Sequence, residues 1–172
     1  ISILNPSSQK VHTQFVGGCV RKALEGELTT DIDLATTYKP QIVKKILLKN
    51  KYKVLDLAIK YGSITALSKN YKYEITSLRK DINPDGRHTE IKLTKNWLED
   101  SLRRDFTINA IYCDKSGKIF DPVNGLKDLK NKKINFIGNP ESRIKEDYLR
   151  IIRFIRFSLV YNYNINDRNI IK

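Results

Sequence analysis

The stretch that most constrains this chain is QFVGGCVRKALEGELTTDID, Gln14 to Asp33. It reads as a strand over Gln14–Val16, a turn at Gly17-Gly18, a short helix carrying Arg21, a polar loop, and a second strand holding Asp31 and Asp33. A strand that breaks at paired glycines and opens a helix presents free backbone N–H groups, which stabilise an anion. Arg21, one turn into the helix, adds a charge-assisted contact for phosphate. Residues i and i+2 of a strand share a face, so Asp31 and Asp33 point the same way with Cα atoms about 6.6 Å apart. Two such carboxylates suit a hard cation such as Mg²⁺, which leaves its other positions to water and phosphate. The plainer readings are a simple turn and a solvated strand end. Order and proximity favour metal-dependent phosphate chemistry, without the fingerprint of a dinucleotide fold or a P-loop.

The charge balance favours a polyanionic partner, most simply nucleic acid, the plainer reading being a lysine-rich composition that only keeps the protein in solution. The chain of 172 residues carries 32 Lys+Arg against 19 Asp+Glu, a net +13, and neutralising phosphates with such a surplus releases counterions. With 40% apolar residues it can bury a core of one ordinary domain or slightly more. Cys19 and Cys113 match no metal spacing and read as reduced thiols of a cytoplasmic protein. No run is long and apolar enough for a membrane span, and no signal peptide opens the chain. Its first residue is Ile1, which reads as a missing N-terminus.

Further along, Pro40 leads into a helix near Gln41–Asn50 with Ile42, Val43, Ile46 and Leu47 as its apolar stripe. Strands are expected near Val54–Ile59, Ser63–Leu67 and Tyr71–Leu78, giving a small mixed sheet with helices on one side. Glu74 can supply a third acid if its strand lies beside Asp31 and Asp33. Arg79–Glu90 reads as a turn-rich loop around Pro84, Asp85 and Gly86. Asn96 and Glu99 resemble a capping box opening a helix with Leu98, Leu102 and Phe106 on one stripe. That helix delivers Arg103-Arg104-Asp105, either a nucleotide-binding group or a surface ion-pair cluster. Ile108–Cys113 and Lys118–Phe120 read as a hairpin, with a turn at Asp121-Pro122 and Asn124-Gly125 after it. From Asn139-Pro140 a final helical region follows. Asp147, Arg150, Arg153 and Arg156 form a polar stripe there, with Ile151, Ile152, Ile155 and Leu159 opposite, and spacing alone favours an ordinary amphipathic helix.

Four elements stand in fixed order: GGCVR at 17–21, DID at 31–33, RRDFTINA at 103–110, and EDYLRIIRFIRF at 146–157. Together they resemble the catalytic head and start of the neck of class II tRNA nucleotidyltransferases, the CCA-adding enzymes, and of the similar bacterial poly(A) polymerases. EITSLRKD and DGRH resemble that family's strand and flexible loop. The resemblance implies an α+β fold: a polymerase-beta-like nucleotidyltransferase head with a mixed sheet over residues 1–133, and the beginning of a helical neck over 134–172. It implies that Gly17, Gly18 and Arg21 hold the triphosphate and that Asp31 and Asp33 bind Mg²⁺, which activates an RNA 3′-hydroxyl and stabilises the leaving pyrophosphate. Arg104 and Asp105 would contact the ribose. Glu146, Asp147 and Arg150 would read base edges, supported by Arg153 and Arg156. The implied partners are tRNA or another RNA 3′ end, CTP and ATP. The alternatives are a poly(A) polymerase using ATP alone and a catalytically silent nucleotide- or RNA-binding fragment. The family pattern has an acid where Lys22 stands, and it continues into body and tail domains beyond Lys172, which implies a fragment or a short natural product.

Overall fold

A computed structural model of the chain describes residues 1–7, 10–82 and 90–161. Its elements are β1 (Thr13–Val16), α1 (Gly18–Leu24), β2 (Asp31–Thr36), α2 (Pro40–Lys49), β3 (Lys53–Leu55), β4 (Ser63–Leu67), β5 (Lys72–Ser77), β6 (Arg79–Ile82), β7 (Glu90–Leu93), α3 (Trp97–Leu102), β8 (Tyr112–Cys113), β9 (Ile119–Phe120), α4 (Gly125–Lys130), α5 (Pro140–Glu146) and α6 (Leu149–Val160). Seven strands form one mixed sheet in the order β3-β4-β5-β2-β1-β8-β9. Within it β2 and β5 run parallel, while β1 lies antiparallel to both β2 and β8.

Alternation along β2 sorts its side chains. Leu34 joins Val43 and Leu47 of α2 and Ile64 and Ile75 in a core on one face. Ala35, on the other face, packs with Val16, Leu78, Tyr112 and Trp97 at the start of α3. Helices α1 and α2 pack on the face of Phe15, Ile32 and Leu34, and Trp97 of α3 also reaches the second face. Burying Val43 and Leu47 contributes about 1.5–3 kcal/mol each. Ile42, expected in the α2 stripe, is instead exposed.

Several other expectations are corrected. The strand near Val54–Ile59 ends at Leu55, and Ile59 lies in a 3-10 turn, Ile59–Tyr61. The loop expected over Arg79–Glu90 begins and ends as strands, because β6 and β7 pair as a separate two-stranded sheet. Pro84, Asp85, Gly86 and the DGRH segment lie outside the described residues. Asn96 caps α3 by accepting from the Leu98 and Glu99 amides. The Glu99 carboxylate accepts from Thr94 and Lys80 rather than closing the box. Leu98 and Leu102 are exposed, whereas Asp100 and Ser101 form the buried side of α3. Ile108 sits in a 3-10 turn, Thr107–Asn109, so the hairpin is only β8 and β9. Asp121 accepts from the Gly125 and Leu126 amides and opens α4, where a plain turn was expected. Gly125 permits that seat: a Cβ there would lie 2.2 Å from the Thr107 carbonyl oxygen.

The final helical region is two helices. α5 closes at Asp147 in extended backbone (φ −159°), and α6 then packs Phe154 and Phe157 on Phe106, Ile108, Ile134 and Phe136. Ile151, Ile152, Ile155 and Leu159 are exposed. The buried side of α6 is Arg150, Phe154, Phe157 and Ser158, while Arg153 and Arg156 are exposed at its flank.

Candidate active site

β1 ends at Val16, and the chain turns at Gly17 with φ +73°, a region that side chains with a Cβ adopt at a cost. The turn brings backbone against side chains. A Cβ on Gly17 would lie 3.6 Å from Asp33 Oδ2 and 3.8 Å from Arg104 Nη1. Three segments distant in sequence thus meet at one point: the glycine turn, the second carboxylate of β2, and the arginine after α3.

Asp31 and Asp33 occupy one face of β2, and the parallel register sets Glu74 of β5 opposite Asp33. Burial, then the Glu74 charge and that of Asp31, push the Asp33 carboxyl up, against the pull of Arg104. Crowded acids of this kind are relieved by a bound cation. Among the described residues no three acidic, histidine or cysteine side chains converge as a complete metal cage. A pair of carboxylates with open coordination positions fits Mg²⁺, which keeps waters and takes substrate phosphates.

Asp100 organises the next wall. Fully buried, it accepts from Arg103 Nε (2.9 Å), Arg104 Nη2 (3.1 Å) and the Tyr112 hydroxyl (2.8 Å). Burial alone would raise its pKa, but the charges of Arg104 and Arg103 and the Tyr112 hydrogen bond bring it down to about 2. The Arg104 guanidinium lies over the Tyr112 ring. Asp105 turns the other way. Its Oδ1 accepts from the Phe106 amide (2.8 Å) and Asn109 Nδ2 (3.1 Å), and its Oδ2 faces Arg153 at 2.8 Å.

The third wall comes from α5 and α6. Arg150, buried, donates through Nη1 to Glu146 Oε2 (2.8 Å) and to the Arg143 carbonyl (2.7 Å). Asp147 Oδ1 accepts from the Leu149 amide at 3.0 Å and so fixes the break between the helices. Arg21 of α1 donates to Asn109 Oδ1 and lies over the Phe157 ring. Arg156 lies over the same ring.

These walls enclose a cleft of about 500 Å³ lined by seven arginines and four aspartates. It brings together Gly17, Gly18, Arg21, Asp33, Arg104, Asp105, Asp147, Arg150, Arg153 and Arg156. Asp31, at the exposed start of β2, and Glu146, turned toward Arg143 and Arg150, lie outside the lining. Arg103, read from the sequence as part of an Arg-Arg-Asp group that either binds nucleotide or pairs ions at the surface, lines the cleft, and so do Arg79, Asp81, Asn109 and Phe157, which sequence reasoning did not single out. Asp100 and Arg143, which hold that lining, also escaped sequence reasoning, and the periodicity of α3 gave no signal for Asp100 because it placed the buried stripe on Leu98 and Leu102. Arginine forks suit phosphate and base-edge acceptors bidentately. The cleft thus sets the Asp33 carboxylate among seven guanidinium groups, a lining able to hold a polyanion.

Comparison with known proteins identifies the family. The family described as Poly A polymerase head domain matches residues 13–135. Human mitochondrial CCA tRNA nucleotidyltransferase 1 is 43% identical over 145 residues, covering 84% of this chain and 33% of that protein. The CCA-adding enzyme of Enterococcus faecalis is 34% identical over 166 residues, 95% of this chain and 40% of the relative. The crystal structure of the Bacillus stearothermophilus CCA-adding enzyme in complex with CTP superposes with a TM-score of 0.77 at 34% identity, covering 91% of this chain and 37% of that one. The chain thus spans little more than a third of the length of these relatives.

Proposed function

This chain belongs to the poly A polymerase head-domain family, and from that premise we propose that it serves an RNA 3′-terminal nucleotidyltransferase of CCA-adding type, transferring CMP and AMP from CTP and ATP to tRNA. The observation that carries this reading is the single cleft joining Gly17, Asp33, Arg104 and Arg150. The names of the relatives support it, as does the CTP complex of the Bacillus enzyme.

In this reading Gly17, Gly18 and Arg21 bind the triphosphate, with Arg21 held on Asn109 and Phe157. Asp31 and Asp33 hold Mg²⁺, which supplies positive charge to the reacting phosphate and the attacking hydroxyl. Asp100 keeps the Arg104 guanidinium aimed at the nucleotide, and Asp105 meets the ribose once Arg153, half exposed, swings aside. Asp147 accepts from an exocyclic amine, and the part of the Arg150 fork not engaged by Glu146 donates to ring acceptors. Both C and A carry an amine where U and G carry a carbonyl, so this donor and acceptor pair selects two bases of four. Arg153 and Arg156 line the mouth of the cleft. The same reading includes a head over residues 1–133, the start of a neck from 134 to 172, and a cytoplasmic location. No described helix is long and apolar enough to cross a membrane.

Poly(A) synthesis is the second reading, favoured by the family description. Calorimetric titration of the full-length protein with CTP, ATP, GTP and UTP in Mg²⁺ separates the two. CCA addition predicts binding of CTP and ATP with GTP and UTP at least about tenfold weaker, a difference of about 1.4 kcal/mol. Binding of ATP alone favours poly(A) synthesis, and equal binding of all four overturns base selection by Asp147 and Arg150.

A further inference from the structure

Arg143 of α5 does not line the cleft, yet it touches two of its walls. Its Nη2 forks across the carbonyls of Arg103 (2.5 Å) and Arg104 (2.7 Å), forty and thirty-nine positions away in sequence. Its Nη1 donates to Glu146 Oε2, the same oxygen that receives Arg150 at 2.8 Å. Its own carbonyl accepts from Arg150 at 2.7 Å. One largely buried side chain therefore closes a ring from the arginine turn after α3 to the Glu146–Arg150 pair. Asp100 holds the side chains of Arg103 and Arg104; Arg143 holds their backbone. Among the described residues Arg143 Nε, also buried, has no hydrogen-bond partner, so the guanidinium is fixed by its terminal nitrogens alone.

We infer that Arg143 is a positioning residue that sets the distance between the base-facing residues, Asp147 and Arg150, and the sugar-facing turn at Arg103–Arg104, and thereby governs which base the cleft accepts. The inference rests on the nucleotide-binding reading proposed above. Among the described residues, the hydrogen bonds and ion pair of Arg143 run to Arg103, Arg104, Glu146 and Arg150 and not to Gly17, Gly18 or Arg21, which form the triphosphate wall. Loss of Arg143 therefore relaxes the base register and leaves phosphate binding in place. A lysine does not replace it, because a single ammonium lacks the planar fork that spans two carbonyls and a carboxylate.

The test compares wild type, Arg143→Ala and Arg143→Lys in the full-length protein. Calorimetry with Mg²⁺ measures affinity for CTP, for UTP and for inorganic triphosphate, with thermal melts to identify the folded fraction. Base discrimination depends on the placement of Asp147 and Arg150, so the CTP-to-UTP affinity ratio is expected to fall about tenfold or more in both variants, about 1.4 kcal/mol. Binding of inorganic triphosphate is expected to stay within about twofold, about 0.4 kcal/mol. Folded variants with the wild-type ratio overturn the inference. A parallel loss of triphosphate and nucleotide binding overturns it too, because it marks Arg143 as general structural support. A wild-type protein that does not distinguish CTP from UTP overturns the base-selection reading and this role with it; a selective wild type with equally selective variants overturns the role alone.

Discussion

The Arg21 guanidinium of α1 lies 4.7 Å from the centre of the Phe157 ring on α6. One side chain thereby joins the glycine turn to the last described helix. Phe157 also meets Phe106 edge-on with ring centres 5.6 Å apart, so it serves packing and Arg21 together. Replacing it by alanine removes both and is expected to cost about 3–5 kcal/mol of stability. Phe157→Leu keeps most of the packing but removes the π face, worth about 0.5–2 kcal/mol to a cation. Urea unfolding and triphosphate titration of the leucine variant should show a small stability loss and an affinity several-fold weaker.

Asp33 carries the opposite kind of strain. Burial and the Glu74 and Asp31 charges raise its folded pKa, so the folded state holds its proton more tightly than the unfolded chain. Stability then falls as pH rises from the ordinary carboxyl value of 3.8 through the raised folded value, and ionised Asp33 works against folding at neutral pH. Asp33→Asn is expected to melt higher than wild type at pH 7 in EDTA while losing Mg²⁺-dependent transfer. Adding Mg²⁺ should raise the wild-type melting temperature and leave the variant nearly unchanged.

Asp100 has the reverse sign. Its folded pKa of about 2 lies below the unbound 3.8, so its contribution is complete above about pH 4 and is lost as pH falls through 2. Asp100→Ala leaves two arginines partly buried without their carboxylate and is expected to cost about 3–5 kcal/mol at pH 7. Denaturant unfolding between pH 2 and pH 7 checks both statements: the wild-type curve should steepen below pH 4 and the variant curve should lack that component.

The two glycines of the turn should behave differently. Gly17→Ala forces a Cβ into left-handed backbone, at about 1–2 kcal/mol, and sets a methyl between Asp33 and Arg104. Gly18 has nothing within 4 Å of an added Cβ, so Gly18→Ala is expected to be near neutral in stability. Thermal melts of the pair measure the conformational term, and CTP titration the effect of the methyl.

Local relationships were legible in the sequence. The Gly17-Gly18 break, the shared face of Asp31 and Asp33 and the Asn139 cap depend on neighbours a few positions away. Register was not legible: Glu74 became the partner of Asp33 only through a parallel pairing across the long excursion of α2, β3 and β4. Asp100 was hidden because an acid on a helix looks solvated until Arg103, Arg104 and Tyr112 are seen to converge on it. In α6 the periodicity separated arginines from isoleucines but carried no information on which side packs against the rest of the chain. Phe154 and Phe157 decided it by packing on Phe106 and Phe136, which buries Arg150 with them and leaves Arg153 and Arg156 exposed.

The most direct test offers the full-length protein a tRNA lacking its 3′-terminal CCA, with all four nucleoside triphosphates and Mg²⁺, and sequences the extended ends. The account predicts addition of C, C and A followed by a stop, lost in Asp33→Ala. Runs of A, incorporation of U or G at comparable rates, or undiminished transfer by Asp33→Ala would contradict it.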